Sequence, residues 1–278
     1  SAASDVYKRQ VKFISASEPQ YTFSSPECRH STLYMEKRAV EGEPTVFSET
    51  FEFTANGEWH NLKPEDVQPY DTTTALYKEY TAEREKHIVF SPRLRELAAK
   101  LTAGETNPYL KAKRIFRWVN DNFPWASARE YSTIENIPEY VLDNRHGDCG
   151  QVSLLFITLC RISGIPAHFQ SGFMMHPRAW NLHDWAEVYF EGVGWVPVDQ
   201  SFGIPAFARN ADEEYFFLGG IDSWRMIVNT DYGMPLQPEK QYPRSETVDF
   251  QRGEVEWEGG NLYFPQWDYH MDIDYLNY

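Results

Sequence analysis

The stretch that most constrains this sequence is an apolar run that begins just after a cysteine. Between Val152 and Ile162, apolar residues occupy every side of a helical wheel and leave no polar stripe. A helix that is apolar on all sides is buried on all sides. The rest of the chain must therefore supply enough structure to surround this helix completely.

The residues before the run predict where this helix begins. Asp148 fits the N-cap position, Gln151 follows at capping-box spacing, and Gly164 is a natural stop. Cys149 then becomes the first residue inside the helix, where free N–H groups and the helix dipole favour an anion such as a thiolate. Asp148 acts against this, because a like charge raises a thiol pKa, so its side chain should turn away from the sulfur.

Two interpretations of Cys149 stay open at this point. It is either a reactive thiol or a small buried hydrophobe, which is what most free cysteines are. Cys160 lies in mid-helix among leucines and fits the second interpretation, and Cys28 has no context that suggests a role. Gly147 and Gly150, on either side of Cys149, would leave room for a substrate backbone to approach.

A catalytic cysteine needs a base, and the base needs an orienting group. His183 stands at the start of a predicted strand, and Asp199 lies on the strand that follows it. In an antiparallel hairpin, a three-residue turn at 190–192 would place the two directly opposite each other, whereas a two-residue turn at Gly192–Val193 would displace them. The spacing therefore permits the pair without requiring it.

Each of these two residues also has a plainer interpretation. His183 fits a strand-end histidine bonded to a backbone group, and Asp199 fits a turn aspartate that caps the loop before Ser201. The order of helix-start cysteine, strand histidine and next-strand aspartate favours the catalytic interpretation of all three.

The remaining pattern predicts an α+β fold. Phe47, Phe51 and Phe53 alternate with polar residues, and Asn56–Gly57 supplies a hairpin-turn signal, so residues 1–82 form a β-rich segment. Helix starts follow at Ser91–Pro92 and at Asn107–Pro108, and two strands follow the cysteine helix. Alternation over 269–275 predicts a last, half-buried strand. Helices followed by antiparallel strands exclude an alternating βαβ fold.

Composition narrows the possible partners. The chain of 278 residues has 26 Lys and Arg against 41 Asp and Glu, a net charge of −15. This balance disfavours nucleic acid, whose phosphates need clustered cations, and anionic membrane surfaces. No apolar stretch reaches the roughly 18 residues of a membrane span, so we expect no membrane insertion.

The first ten residues, SAASDVYKRQ, have no apolar core of a signal peptide and are interpreted as non-native. If so, an export signal would lie upstream of them, and a periplasmic or extracellular location is the expectation.

We expect neither a metal nor a cofactor. His168, His176 and His183 are spaced eight and seven residues apart, and no CxxC or HExxH pattern accompanies them. No Walker loop or dinucleotide-binding fingerprint is present either.

Three sequence blocks resemble the transglutaminase-like superfamily, whose members share a papain-like Cys-His-Asp core. The blocks are GDCGQVSLLFITLCRISGIPAHFQ around Cys149, HDWAEVYF from His183, and GWVPVDQS around Asp199. The resemblance covers roughly residues 85–205. It implies a bacterial-type catalytic domain at 83–278, with the buried cysteine helix packed on an antiparallel sheet. No calcium-binding loop pattern is present, so calcium dependence is not carried over.

The resemblance also implies roles for the site residues. Cys149 would be the nucleophile, His183 the general base and Asp199 the orienting carboxylate. The oxyanion would be bound by the Cys149 N–H and by a side-chain donor, for which Trp125 is the first candidate and Tyr131 the second. Residues expected to line an oxyanion site or substrate groove are Trp125, Tyr131, Gly150 and Trp185.

Such a site would attack a peptide or glutamine amide and form a thioester, with hydrolysis favoured over crosslinking and a protein or peptide as substrate. Two alternatives stay open. One is a non-catalytic module that binds a peptide or glycan through aromatic residues: Trp125, Tyr131, Trp180, Trp185 and Trp195. The other is an amidase that removes glycans from glycosylated asparagine.

Overall fold

The computed structural model describes residues 11–127, 129–206, 208–263 and 266–276. The strands are β1 Val11–Ala16, β2 Tyr21–Phe23, β3 Leu33–Met35, β4 Glu49–Phe53, β5 Glu58–Trp59, β6 Ala167–Met174, β7 Asn181–Phe190, β8 Gly194–Val198, β9 Gly220–Ile221, β10 Arg225–Thr230, β11 Val255–Trp257 and β12 Gly260–Leu262. The α-helices are α1 Ala75–Tyr80, α2 Pro92–Leu101, α3 Pro108–Asn122, α4 Ile137–Asn144, α5 Cys149–Ile162 and α6 Ala211–Glu214. The first ten residues, interpreted above as non-native, lie outside the described part.

Helix α5 is the centre of the core, as its apolar sequence predicts. Every residue from Gly150 to Arg161 is buried. One side of the helix packs on β6 and β7, and helices α2, α3 and α4 pack around the others. The fold is α+β, with helices gathered against one antiparallel sheet.

The ends of the helices follow the capping signals in the sequence. The Ser91 side chain caps α2 and the Asn107 side chain caps α3, and each is followed by proline at the first helical position. Asp148 and Gln151 form the predicted capping box, so Cys149 is the first residue of α5. Among the described residues, no helix combines the length and the apolarity that crossing a bilayer requires.

The main sheet has four antiparallel strands in the order β10-β6-β7-β8. In the β7–β8 hairpin, Ala186 is paired with Val198 and Phe190 with Gly194, so the turn comprises residues 191–193. The observed turn is neither of the two considered from the sequence, the three-residue turn at 190–192 or the two-residue turn at Gly192–Val193. Asp199 consequently lies beyond the paired residues and reaches His183 diagonally, on the same face of the sheet.

The N-terminal strands are paired differently from the predicted hairpin. Strand β4 pairs with β1, whereas β5 pairs with Gly220–Ile221, far away in sequence. Asn56–Gly57 therefore does not close a β4–β5 hairpin, because both strands find other partners. The segment also contains helix α1, which its alternating pattern did not predict. The domain division at residues 82 and 83 stays a prediction.

The predicted strand at 269–275 is absent from the described structure. Met271, Ile273 and Tyr275 are half-buried and alternate with exposed residues, as the pattern indicates, but the segment has no regular secondary structure. Alternation sets which side chains face the protein, whereas a strand also needs a free sheet edge for its main-chain hydrogen bonds.

Candidate active site

His183 and Asp199 form a buried pair on the main sheet. The Nε2–H of His183 donates to Asp199 Oδ2 at 2.8 Å, and the two side chains are 7% and 0% exposed. The second ring nitrogen, Nδ1, is then the atom that can accept a proton. The two residues thus form a buried, hydrogen-bonded His–Asp pair.

Asp199 has further partners that hold it in its charged form. Arg225 donates from Nη1 to the same Oδ2 at 2.7 Å, and the N–H groups of Ser201 and Phe202 donate to Oδ1. Burial alone would raise the pKa of this carboxyl, but the charges of His183 and Arg225 prevail and lower it. Asp199 therefore bonds to His183 and also caps the loop that follows it. The partner of a histidine and the turn cap, which the sequence left as alternatives, are both present.

Two aromatic rings enclose the imidazole of His183. Phe202 meets it edge-on with ring centroids 5.5 Å apart, and Trp185 lies 5.9 Å away. Trp185 is only 1% exposed, and its indole N–H donates to Gln170 at 2.7 Å. The predicted groove role of Trp185 is therefore wrong, since its ring supports the histidine from inside the protein.

Cys149 is half-buried at the start of α5. Its thiol donates a hydrogen bond to the side chain of Asp184, with 3.5 Å between Sγ and Oδ2. Burial raises the pKa of the thiol well above its ordinary value, and the charges of Asp184 and Asp148 raise it further. The helix start alone predicts the opposite direction, but burial and two nearby carboxyls outweigh the helix dipole.

Asp184 is a residue of this site that the sequence interpretation missed. Its side chain accepts hydrogen bonds from Gln251 at 2.7 Å and from the Tyr131 hydroxyl at 3.3 Å, besides the Cys149 thiol. Burial raises the pKa of the carboxyl to about 8, and the nearby Asp148 carboxyl adds to the rise. A signal was available, because strand alternation puts Asp184 on the apolar face of Ala186 and Val188.

Arg225 was also missed, since it lies on β10, outside the three resembling blocks. Nothing in the local sequence connects it with Asp199. Strands β10 and β8 are the two outer strands of the sheet, and only the folded chain brings the Arg225 side chain to Asp199.

Tyr131 and Gly150 serve the packing of the cysteine helix. The Tyr131 hydroxyl donates to Asp148 at 2.7 Å, and the side chain is buried. A Cβ added at Gly150 would lie 2.4 Å from that hydroxyl and 2.6 Å from Asp184 Oδ2. The space beside Gly150 is thus filled by the protein itself, so neither a groove at Gly150 nor an oxyanion donor at Tyr131 is supported.

Trp125 remains the candidate that lies at the surface beside Cys149. It is 63% exposed, its main chain pairs with Gly147 in a parallel bridge, and Ala126 N–H donates to the Gly147 carbonyl at 3.0 Å. These bonds fix the Trp125 segment next to the start of α5. The indole is therefore available at the surface near the thiol.

The histidines considered for a metal have separate partners. His168 pairs with Glu187 at 3.0 Å and His176 with Asp222 at 3.2 Å, while His183 pairs with Asp199. Within the described ranges, no three His, Cys, Asp or Glu side chains come together as a metal site would need.

A cysteine at the start of a buried helix, packed on an antiparallel sheet that carries a His–Asp pair, defines the papain-like class of α+β folds. Residues 95–200 match the family model of the transglutaminase-like superfamily.

Known proteins are similar to this chain in fold or in sequence. The solved structure of "a Putative Cysteine Protease from Cytophaga hutchinsonii" superposes with a TM-score of 0.53 at 17% identity, over 80% of this chain and 71% of that one. The uncharacterized protein YebA of Bacillus subtilis (strain 168) is 27% identical over 140 residues, which are 43% of this chain and 19% of YebA.

A protein-glutamine gamma-glutamyltransferase of Pseudomonas aeruginosa is 23% identical over 125 residues, 41% of this chain and 19% of that protein. The chain thus spans about a fifth of the length of these two relatives.

Proposed function

We propose that the chain is a cysteine-dependent enzyme that transfers the acyl group of peptide or glutamine amides, with water as the usual acceptor. The observation that carries this proposal is the buried His183–Asp199 pair, 2.8 Å apart, on the sheet that supports the cysteine helix. The family match and the cysteine at the start of that helix support the same conclusion.

The neutral state of the thiol makes a base necessary. Because burial and two carboxyls raise the pKa of Cys149, little thiolate forms without help. In the proposed mechanism, His183 Nδ1 takes the thiol proton as the sulfur bonds to the amide carbonyl carbon. Asp199 keeps the imidazole oriented and stabilises its positive charge.

The tetrahedral intermediate then breaks its C–N bond. His183 gives its proton to the departing amine, and a thioester to Cys149 remains. The Cys149 main-chain N–H, one of the amides that lack an intrahelical partner at a helix start, would donate to the oxyanion. The Trp125 indole is the proposed second donor. Water attacks the thioester in the last step, with His183 again acting as base.

Partial exposure of the cysteine favours hydrolysis over crosslinking in this proposal. Cys149 is half-buried and the neighbouring Trp125 is 63% exposed. A thioester that forms there meets water at molar concentration, so an amine acceptor competes only where it is bound. Transfer to amines requires shielding of the intermediate from water.

The test uses a peptide library incubated with the protein, with and without a primary amine, and read by mass spectrometry. We expect cleavage or deamidation in both samples and little amine incorporation. The variant Cys149→Ala should lose all turnover, whereas the matched control Cys28→Ala should keep it. Full turnover by Cys149→Ala would contradict the proposal, as would activity that survives His183→Ala undiminished.

A further inference from the structure

A carboxyl group in direct contact with the proposed nucleophile has no part in the mechanism above. Asp184 Oδ2 lies 3.5 Å from Cys149 Sγ, and residue Asp184 is only 2% exposed. It stands on the face of β7 that packs against α5, opposite to the face of His183, because neighbouring strand residues alternate. The thiol thus donates to Asp184, while the imidazole of His183 is bonded to Asp199.

The contact is built by several elements. Gln251 fixes Asp184 Oδ1 at 2.7 Å, the Tyr131 hydroxyl bridges Asp184 and Asp148, and the absence of a side chain at Gly150 lets both approach the helix. A larger residue at position 150 would collide with this arrangement. The site thus holds a carboxyl against the sulfur by packing and by hydrogen bonds from two other segments.

We propose that Asp184 is a positioning residue that restrains the nucleophile. Its ionised carboxylate accepts the hydrogen bond of the Cys149 thiol and keeps the sulfur protonated and turned away from His183. When Asp184 is protonated, or when substrate displaces it, the sulfur is free to turn toward the imidazole. This inference rests on the proposed function only for the identity of the nucleophile.

The charges around Asp184 determine when the restraint acts. The ionisable groups around it come from the Tyr131 segment, the start of α5, strand β7 and the C-terminal loop; they are Tyr131, Asp148, Cys149, His183 and Asp249, with Glu246 and Arg252 close to Asp249. Burial first and the Asp148 carboxyl second raise the pKa of Asp184 to about 8, against the hydrogen bonds from Gln251, Cys149 and Tyr131, which lower it. The restraint should therefore strengthen as the pH rises through this value.

Thiol alkylation tests the inference without any substrate. Iodoacetamide labelling of Cys149 is followed by mass spectrometry in the wild type and in Asp184→Asn, which keeps the shape and removes the charge. Half-exposed Cys28 in the same molecules is the internal reference. Lowering the thiol pKa by one unit raises the thiolate fraction about tenfold. It also lowers the intrinsic nucleophilicity of the thiolate about threefold, so the labelling rate rises by about threefold in total.

We therefore expect Asp184→Asn to label at Cys149 at least about threefold faster than the wild type at about pH 9, where the carboxylate is ionised. At about pH 6, where the wild-type carboxyl is neutral, the two rates should agree within about twofold. A purely structural effect of the substitution would change the labelling rate of Cys149 by the same factor at both pH values. Equal rates at both pH values, or slower labelling of the variant, would overturn the inference.

A second measurement removes the difference in burial between the two thiols. The ratio of Cys149 to Cys28 labelling in the wild type, divided by the same ratio in Asp184→Asn, should fall as the pH rises from about 6 to about 9, because the carboxylate restrains Cys149 only in the wild type. A constant or rising quotient would refute the restraint. These outcomes are independent of the proposed function, which fails instead if Cys149→Ala retains turnover.

Discussion

Arg225 shows how a single residue secures the proposed base. It donates to Asp199 at 2.7 Å and to Asp222 at 2.8 Å, and its side chain is 3% exposed. Its guanidinium also lies over the Phe202 ring, which contacts His183. The arginine thus neutralises a carboxylate that would otherwise be buried with only the imidazole as charged partner.

Substitution of Arg225 should lower the free energy of unfolding. The variant Arg225→Met leaves Asp199 buried and short of a partner, and breaking a buried ion pair costs about 3–5 kcal/mol of stability. The control is Arg209→Met, since Arg209 pairs with Glu213 but its side chain is 84% exposed. An exposed pair contributes about 0–1 kcal/mol. Urea unfolding of both variants measures the difference, and equal midpoints would contradict the buried pair.

The sequence predicted candidate residues at single positions better than it predicted their contacts. Cys149, His183 and Asp199 were predicted from motif order, and the structure places His183 and Asp199 in hydrogen-bond contact on one face of the sheet. Asp184 was missed although it directly follows His183, because a motif names residues and does not show which face each one occupies. The placement of its carboxyl against the thiol depends on Gln251 and Tyr131, which come from distant segments.

At the scale of elements, helix α5 determines the architecture. Its all-apolar surface requires neighbours on every side, and these are β6, β7, α2, α3 and α4. The capping box fixes its first residue, so the packing of the helix also fixes the position of Cys149. Stability of the core and alignment of the thiol are therefore coupled in one element.

A cavity in this helix should destabilise the whole core. Leu155 is fully buried, and Leu→Ala substitutions in such positions cost about 2–5 kcal/mol. Leu155→Ala should show this loss of stability in denaturant unfolding. Turnover should fall as well, because a displaced α5 moves Cys149. Leu276→Ala, at a side chain that is 69% exposed, is the control and should change stability by less than about 0.5 kcal/mol. Similar effects of the two variants would argue against the central position of α5.

At the scale of the whole molecule, buried ionisable groups should make stability depend on pH. Burial raises the pKa of Asp184 to about 8 and that of Glu246 to about 7, and it also raises the pKa of Asp249. It lowers the pKa of His30 to about 3 and that of His87 to about 4. The carboxyls and the histidines thus shift protein stability in opposite senses.

The direction of each effect on stability depends on whether the folded or the unfolded state binds more protons. Between about pH 4 and 6.5 the unfolded histidines bind more protons than the folded ones, so their contribution to stability rises with pH. The raised carboxyls hold extra protons in the folded state, so their contribution falls as pH increases up to about 8. Above about pH 6.5 the histidine contribution levels off, and the groups whose pKa burial raises dominate the change in stability.

We therefore expect the urea midpoint to fall as pH increases from about 6.5 to about 8. In Asp184→Asn this decline should be shallower, because one raised carboxyl no longer titrates. A midpoint that rises over this interval, or an identical slope in the variant, would show that Asp184 is not held neutral by burial.

The sequence by itself determined the buried helix, its cap, the helices before it and the order of cysteine, histidine and aspartate. These features depend on local periodicity and on main-chain capping, which act within a few residues. Only the tertiary structure decided the hairpin register, the pairing of β5 with β9, the role of Trp185 as an internal support and the contact between Asp184 and the thiol. Each of these depends on which distant segments compete for the same hydrogen bonds and the same space, and that competition is resolved only when the whole chain is packed.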